Sequence, residues 1–529
     1  MKSRNTPLLV APFAMLCAAL FVLPVAAQWP ANEKVDLDAV YRIKEEGLQR
    51  SKVMEITSYL TDVYGPRLTG SPNIREAADW TQRTLKEWGL ANIHLETFPF
   101  GRGWQNQRFV AMALTPRVYP LVGFPRAWTP GTDGPTKGEA VLAIVQSDRD
   151  FDTWRGKLRG KFVLTAPMRQ VGARFDPLAR RFADNDLADL SRQPATAGRG
   201  RGGQPAAGAP NPQEFARKRA RFFADEKVAA LLEPSPTGDG GTFFVQAAAN
   251  VSRDPKEPLQ APQIVLSVEQ YGRIVRTLEK KVPVTLQIDI DNRFYDEDLN
   301  AFNVIAEIPG TDKADEVVML GAHFDSWHAG TGATDNAAGS AVMMEAMRIL
   351  QTSGLRLRRT VRLALWGGEE EGLLGSAAYV RDHFADRPTM QLKPEHARLS
   401  GYFNVDNGTG AIRGVYLQGH EAVAPIFQSW MEPFKNLGMT TLAIRSTGGT
   451  DHTSYDAVGL PGFQFIQDPV EYDSRTHHSN QDVYERIQPD DMMRNAVIVA
   501  SFAYHAANRD EKLPRKPLPR PQPAGRGGQ

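Results

Sequence analysis

From residue 282 onward the chain alternates short apolar runs with helix-length stretches, and this pattern restricts the fold more than any other feature. The runs are "VTLQIDI", "NVIAEI", "EVVMLGAH", "TVRLALW", "SGYFNVD", "GVYLQG" and "GFQFIQD". Their length and composition read as strands. Between them, "NAAGSAVMMEAMRILQTSG" and "GLLGSAAYVRDHF" read as helices. Strands alternating with helices predict an α/β three-layer sandwich around a mixed, mostly parallel central sheet.

The first part of the chain reads differently. Residues 36–64 are expected to be helical, up to the break at Gly65-Pro66. A second helix is expected in "GSPNIREAADWTQRTLKEWGL", with Ser71 as N-cap, Pro72 in the first turn and Gly89 at the end. Near residue 130 short strands such as "GEAVLAIVQ" and "GKFVLTAP" begin to alternate with turns. This predicts an inserted small β-rich domain over 131–275, with 28–130 and 276–508 forming the main domain around it. Within the insert, residues 191–213 are rich in Gly, Pro, Ala and Arg and are expected to be a disordered loop. The proline-rich end, 509–529, is expected to be an extended, disordered tail.

Lys2 and Arg4 precede a long apolar run that ends in the small residues Val25, Ala26 and Ala27. This is the layout of a secretory signal, 1–27, cleaved after Ala27. The expected location is therefore periplasmic or extracellular. An uncleaved anchor is the alternative, because the run approaches the ~20 residues that span a bilayer. With cleavage, no stable membrane insertion is expected. Cys17 is the only cysteine. The mature chain would then have no disulfide and no thiolate ligand, so any metal must be held by His, Asp and Glu. The net charge of +1 falls to −1 with the loss of Lys2 and Arg4. Neither value suggests a nucleic-acid partner.

Ligands in open α/β sheets gather at the carboxyl ends of strands. Here "VVMLGAH" leads to His323 and Asp325, the next loop holds Asp335, "TVRLALWGG" leads to Glu369 and Glu370, "SGYFNVD" ends in Asp406, and "YDSRTHHSNQD" carries His477, His478 and Asp482. Each fragment alone is commonplace. Together, in this order and at strand ends, they suit zinc, which takes imidazole nitrogen and carboxylate oxygen. Asp335, Glu370 and Asp406 bring −3, which two Zn²⁺ ions offset with one hydroxide. Two zincs per chain are therefore expected. Three adjacent glutamates would otherwise repel one another. Glu370 is expected at the metal, Glu369 beside it as a proton shuttle, and Glu371 turned away into solvent.

At "GAHFDSW", "GATDNAAGSA", "WGGEEEGLLGS", "NVDNGTG", "GGTDHTSY" and "THHSNQD" the sequence resembles the di-zinc exopeptidases that include secreted bacterial aminopeptidases, plasma glutamate carboxypeptidase and glutamate carboxypeptidase II. Weaker agreement covers "GPRLTGSPNIREAADW" and the insert, which looks like a protease-associated domain. The resemblance implies that Asp335 bridges two zincs, that His323 and Asp406 complete one, and that Glu370 and His478 complete the other. It makes Glu369 the general base and then general acid, acting on water activated by the metals, and Asp325 the support of His323. Here His477 stands where the family has an aromatic residue, Ser479 replaces Thr, and Thr450 replaces Ser before Asp451 and His452, which are expected to shape the pocket wall. His328 is expected to serve loop structure.

The implied activity is hydrolysis at a peptide terminus, with an aminopeptidase as the favoured form. A carboxypeptidase or dipeptidase on the same scaffold stays open, depending on whether arginines such as Arg445 and Arg475 face the substrate. A single-zinc glutaminyl-cyclase-like enzyme and a non-catalytic receptor-like homologue are the remaining alternatives. The sequence does not report the oligomeric state.

Overall fold

The structure, a computed structural model, describes residues 33–195 and 212–521 of the 529-residue chain. The segment 1–27 and most of 191–213 lie outside the described residues. The main sheet has eight strands in the order Ala91–Pro99, Asn300–Ile308, Arg359–Trp366, Lys313–His323, Leu399–Asn404, Gly462–Gln467, Ile412–Tyr416 and Thr441–Ala443. Arg359–Trp366, Lys313–His323, Leu399–Asn404 and Gly462–Gln467 run parallel, and antiparallel pairs flank them. The sheet is thus mixed. In register, His323 lies opposite Trp366 and Gly321 opposite Asn404, so these strands end at one edge.

Alternation along each strand sends side chains to two covered faces. Val318, Leu320, Leu363 and Leu365 join a core with the helices Ala338–Thr352 and Pro489–Asn508. Met319, Ala364 and Trp366 join a second core with Tyr379, Val380 and Tyr455. Burial explains the composition of "AVMMEAMRIL": the helix Ala338–Thr352 is buried on nearly every side, so it lacks a polar stripe.

A second eight-stranded sheet runs Tyr119–Pro120, Gly103–Thr115, Thr285–Tyr295, Thr136–Leu142, Phe162–Leu164, Ala230–Pro234, Gln263–Leu266 and Gly123–Pro125. It extends beyond the expected limits of 131–275. The run "VTLQIDI", expected in the main sheet, instead pairs with Gly103–Thr115. A period of two identifies a strand but not the sheet that receives it. Four of its strands pair in parallel, and Tyr271, Ile274 and Val275 of the helix Val268–Glu279 pack on it, so this unit is more than β-rich.

Two further expectations change. The helix over 36–64 divides into Leu37–Gln49, Val53–Ser58 and a π-turn, Tyr59–Val63. Between the first two, Ser51 Oγ and Lys52 N–H both donate to Glu345 Oε1 at 3.0 Å, which ties the chain to a neighbouring helix in place of its own carbonyls. The start of the expected tail is docked: Leu513 is buried, and Arg515 donates to the His396 and Leu399 carbonyls at 2.7 Å. Proline content rules out helix there, not packing. Among the described residues no helix is long and apolar enough to cross a membrane.

Candidate metal centre

Where the parallel strands end, acids and imidazoles converge on Asp335. His323 Nε2 lies 3.2 Å from Asp335 Oδ1 and 3.5 Å from Asp406 Oδ1. His478 Nε2 lies 3.2 Å from Asp335 Oδ2 and 2.9 Å from Glu370 Oε2. The two oxygens of one carboxylate therefore face two separate donor sets. Asp335 Oδ2, Glu370 Oε1 and Asp406 Oδ1 are buried and take no hydrogen bond. Buried carboxylate oxygens are normally satisfied, so three unsatisfied ones converging on a pair of imidazoles mark a place that could hold cations.

The loop around Asp335 is held from its neighbours. Gly332 sits at φ 67°, and a Cβ there would meet the Ser326 side chain at 2.3 Å. Asp482 accepts from the Thr334 and Asp335 N–H groups at 2.6 and 3.2 Å, and Tyr472 Oη donates to Asp335 Oδ1 at 3.0 Å. Arg67, fully buried, donates to the carbonyls of Leu60, Phe324, Thr331 and Gly332, which stitches the strand-end loops together.

Asp325 departs from its expected part. Its carboxylate accepts from Thr69 Oγ1 at 3.0 Å and from the Glu369 and Glu370 N–H groups at 3.2 Å, while His323 Nδ1 lies 3.7 Å away. The imidazole instead donates to the Asp325 main-chain carbonyl at 3.1 Å. Asp325 thus fixes the glutamate turn. Glu371 is also corrected: both of its oxygens are enclosed, not solvated. Burial, with Asp325 nearby, holds its carboxyl well above the usual range.

The remaining electrostatics follow from crowding. Burial opposes a charged His323, but Asp406, Glu369, Asp325 and Asp335 carry it well above its usual value. Burial likewise opposes a charged His478, yet Glu370 and Asp335 raise it to about 10. Burial and the charge of Asp335 push Glu370 to about 8. Against burial, His323 and His478 keep Asp335 well below the carboxylate range. Glu369 is raised well above it by burial and, against the pull of His323, by Asp406, Asp451 and Glu370.

His477 comes closer than expected. Its Nε2 lies 3.9 Å from Asp335 Oδ2, and its ring sits between Tyr472 and His478 at centroid distances of 4.7 and 3.7 Å. Asp451 and His452 are buried, with Asp451 close enough to act on Glu369 by charge. His328 is buried against Trp104 and Phe124 and donates through Nε2 to the Pro125 carbonyl at 2.8 Å. Arg475 is paired with Glu471 at 3.1 Å, and Arg445 donates to Gln193 at 2.7 Å.

The second sheet's unit reaches the centre. Val245 N–H donates to the His478 carbonyl at 3.1 Å, and the main chains of Phe243 and Asn480 also meet, at 3.1 Å. His478 has φ 62°, a conformation uncommon for residues other than glycine. The neighbouring segment supports that strained backbone. Sequence reasoning missed Thr69, Arg67, Tyr472 and Val245. "GPRLTGS" and "EYDSRTHH" lay within recognised stretches, but nothing in Val245's surroundings marked it.

Residues 303–503 match the model of Peptidase family M28. Carboxypeptidase Q of Bos taurus is 28% identical over 471 residues, covering 89% of this chain and 88% of that one. Among solved structures, a Peptidase M28 precursor from Shewanella amazonensis SB2B superposes with a TM-score of 0.63 at 24% identity, covering 91% and 98% of the two chains. BSAP, a zinc aminopeptidase from Bacillus subtilis, does so with a TM-score of 0.54 at 16% identity, covering 87% and 95%. The matched segment contains every one of the clustered acids and imidazoles, and the chain is a metallo-exopeptidase that is similar over that segment to peptidase family M28.

Proposed function

We propose that the chain is an exported, zinc-dependent exopeptidase that hydrolyses the bond nearest a peptide terminus. The observation that carries this reading is the division of Asp335: Oδ1 lies beside His323, which is itself 3.5 Å from Asp406, and Oδ2 lies beside His478, which is itself 2.9 Å from Glu370. His323 and Asp406 would hold one zinc, Glu370 and His478 the other, and Asp335 would bridge them. Imidazole and carboxylate donors suit zinc, the metal named for the Bacillus subtilis aminopeptidase. A pair of zincs supplies an electrophile for the peptide carbonyl and lowers the pKa of water.

Glu369 takes the proton from the attacking water and returns it to the leaving amine. Burial and neighbouring acids raise its carboxyl above the usual range against the pull of His323. Asp325 holds the turn that aims it. Two donor sets favour two ions over the single-zinc cyclase alternative, and filled ligand positions argue against a receptor-like homologue. The unit containing the second sheet is read as a protease-associated-like domain that braces the His478 loop.

Glu369→Gln tests the reading. Metal analysis is expected to find two zincs per chain in both forms, with turnover of short peptides reduced at least ~100-fold in the variant. Near-native turnover in Glu369→Gln would remove the proposed base, and one zinc per chain would remove the paired centre.

A further inference from the structure

A cavity of about 1180 Å³ opens beside the centre and reaches Glu370, Trp327 and Glu371. Phe100 and, from the second sheet's unit, Asn250 and Arg253 also line it. The Arg253 main chain is clamped to the main domain, because Arg102 N–H donates to its carbonyl at 2.8 Å. Its guanidinium lies over Phe100 at 4.3 Å and over Trp128 at 5.6 Å. The two ring centroids are only 6.0 Å apart, so both rings lie to one side of the guanidinium. Among the described residues the guanidinium has no hydrogen-bond or ion-pair partner, although Glu371 acts on it by charge. The other arginines considered for substrate contact are engaged: Arg445 with Gln193, and Arg475 with Glu471.

We infer that Arg253 is the substrate-specificity residue of this site and binds a carboxylate on the peptide, at its carboxyl terminus or on an acidic side chain. This rests on the exopeptidase reading and shifts the favoured form from aminopeptidase toward a carboxypeptidase or dipeptidase. The guanidinium carries a fixed charge and a planar fork that matches a carboxylate. Its partly buried setting against the Phe100 and Trp128 rings pre-orients it, and the cavity is large enough for the residues flanking a scissile bond.

The test uses the full, zinc-loaded chain and two pairs of short peptides. One pair differs only in a free or amidated carboxyl terminus, the other only in Glu or Gln beside the cleaved bond. The wild type is expected to prefer the carboxylate member of one pair by about 10- to 100-fold in kcat/KM. The pair that shows the preference identifies which carboxylate is read. Arg253→Gln should bring that ratio within about threefold of one, and Arg253→Lys should keep part of it. Equal rates within both pairs for the wild type, or an unchanged ratio in Arg253→Gln with the fold intact by circular dichroism, overturns the inference. Calorimetry on Glu369→Gln separates it from the exopeptidase reading, because binding needs no turnover. If no peptide is cleaved, that reading fails. A carboxylate peptide that binds the variant no more tightly than its neutral partner still overturns the role of Arg253.

Discussion

Asp325→Asn probes the turn on which the proposed chemistry depends. The carboxylate is fully buried and accepts three hydrogen bonds, from Thr69 Oγ1 at 3.0 Å and from the Glu369 and Glu370 N–H groups at 3.2 Å. Asparagine keeps the shape and one oxygen but turns an NH₂ group toward the other donors. The Thr69 hydroxyl can rotate to accept from it, whereas a main-chain N–H cannot. Either amide orientation therefore sets a donor against Glu369 N–H or Glu370 N–H. A hydrogen bond to a charged acceptor contributes ~1.5–3 kcal/mol, and the bonds that survive become neutral and weaker. The total is about 3 kcal/mol, or roughly 100-fold in an equilibrium. Since the turn carries both the proposed base and a proposed ligand, the loss should appear in zinc affinity, measured by competition with a chelating dye, and in kcat/KM at saturating zinc. Thr69→Val removes one donor and should act in the same direction with about tenfold effects. If Asp325→Asn stays within threefold of wild type in both measurements, Asp325 does not hold the turn and the reasoning from these hydrogen bonds fails.

Two further outcomes are expected. Val245→Pro removes the N–H that donates to the His478 carbonyl, so one of two zincs should be lost at a chelator concentration that leaves wild type loaded; equal zinc retention would refute the bracing role of the second unit. His328 is held neutral by burial, its pKa brought down to about 4, so its contribution is complete above pH 6.5 and is lost as pH falls through about 4. The stability gap between wild type and His328→Gln, followed by urea unfolding, should narrow from pH 7 to pH 4 by up to roughly 3 kcal/mol; a constant or widening gap would show that the imidazole is not held neutral.

The sequence alone was enough to place the acids and imidazoles at successive strand ends, because strand period and helix length are local properties. A run such as "EVVMLGAH" delivers His323 to a sheet edge whichever partner it finds. The identity of that partner is not local. "VTLQIDI" has a strand's pattern and joined the other sheet, and Ser51 ended a helix because Glu345, nearly 300 residues away, offered an acceptor. The orientation of buried charge is equally a tertiary property. Glu371 seemed a surface residue until the cavity wall enclosed it, and Asp325 lay two residues from His323 yet bonded to Thr69 and the glutamate turn. The chain itself encodes which donors reach the edge. Only packing decided which of them face each other, which backbone holds them, and that Arg253 and Glu370 line one cavity, because those distances are set by segments that meet after folding.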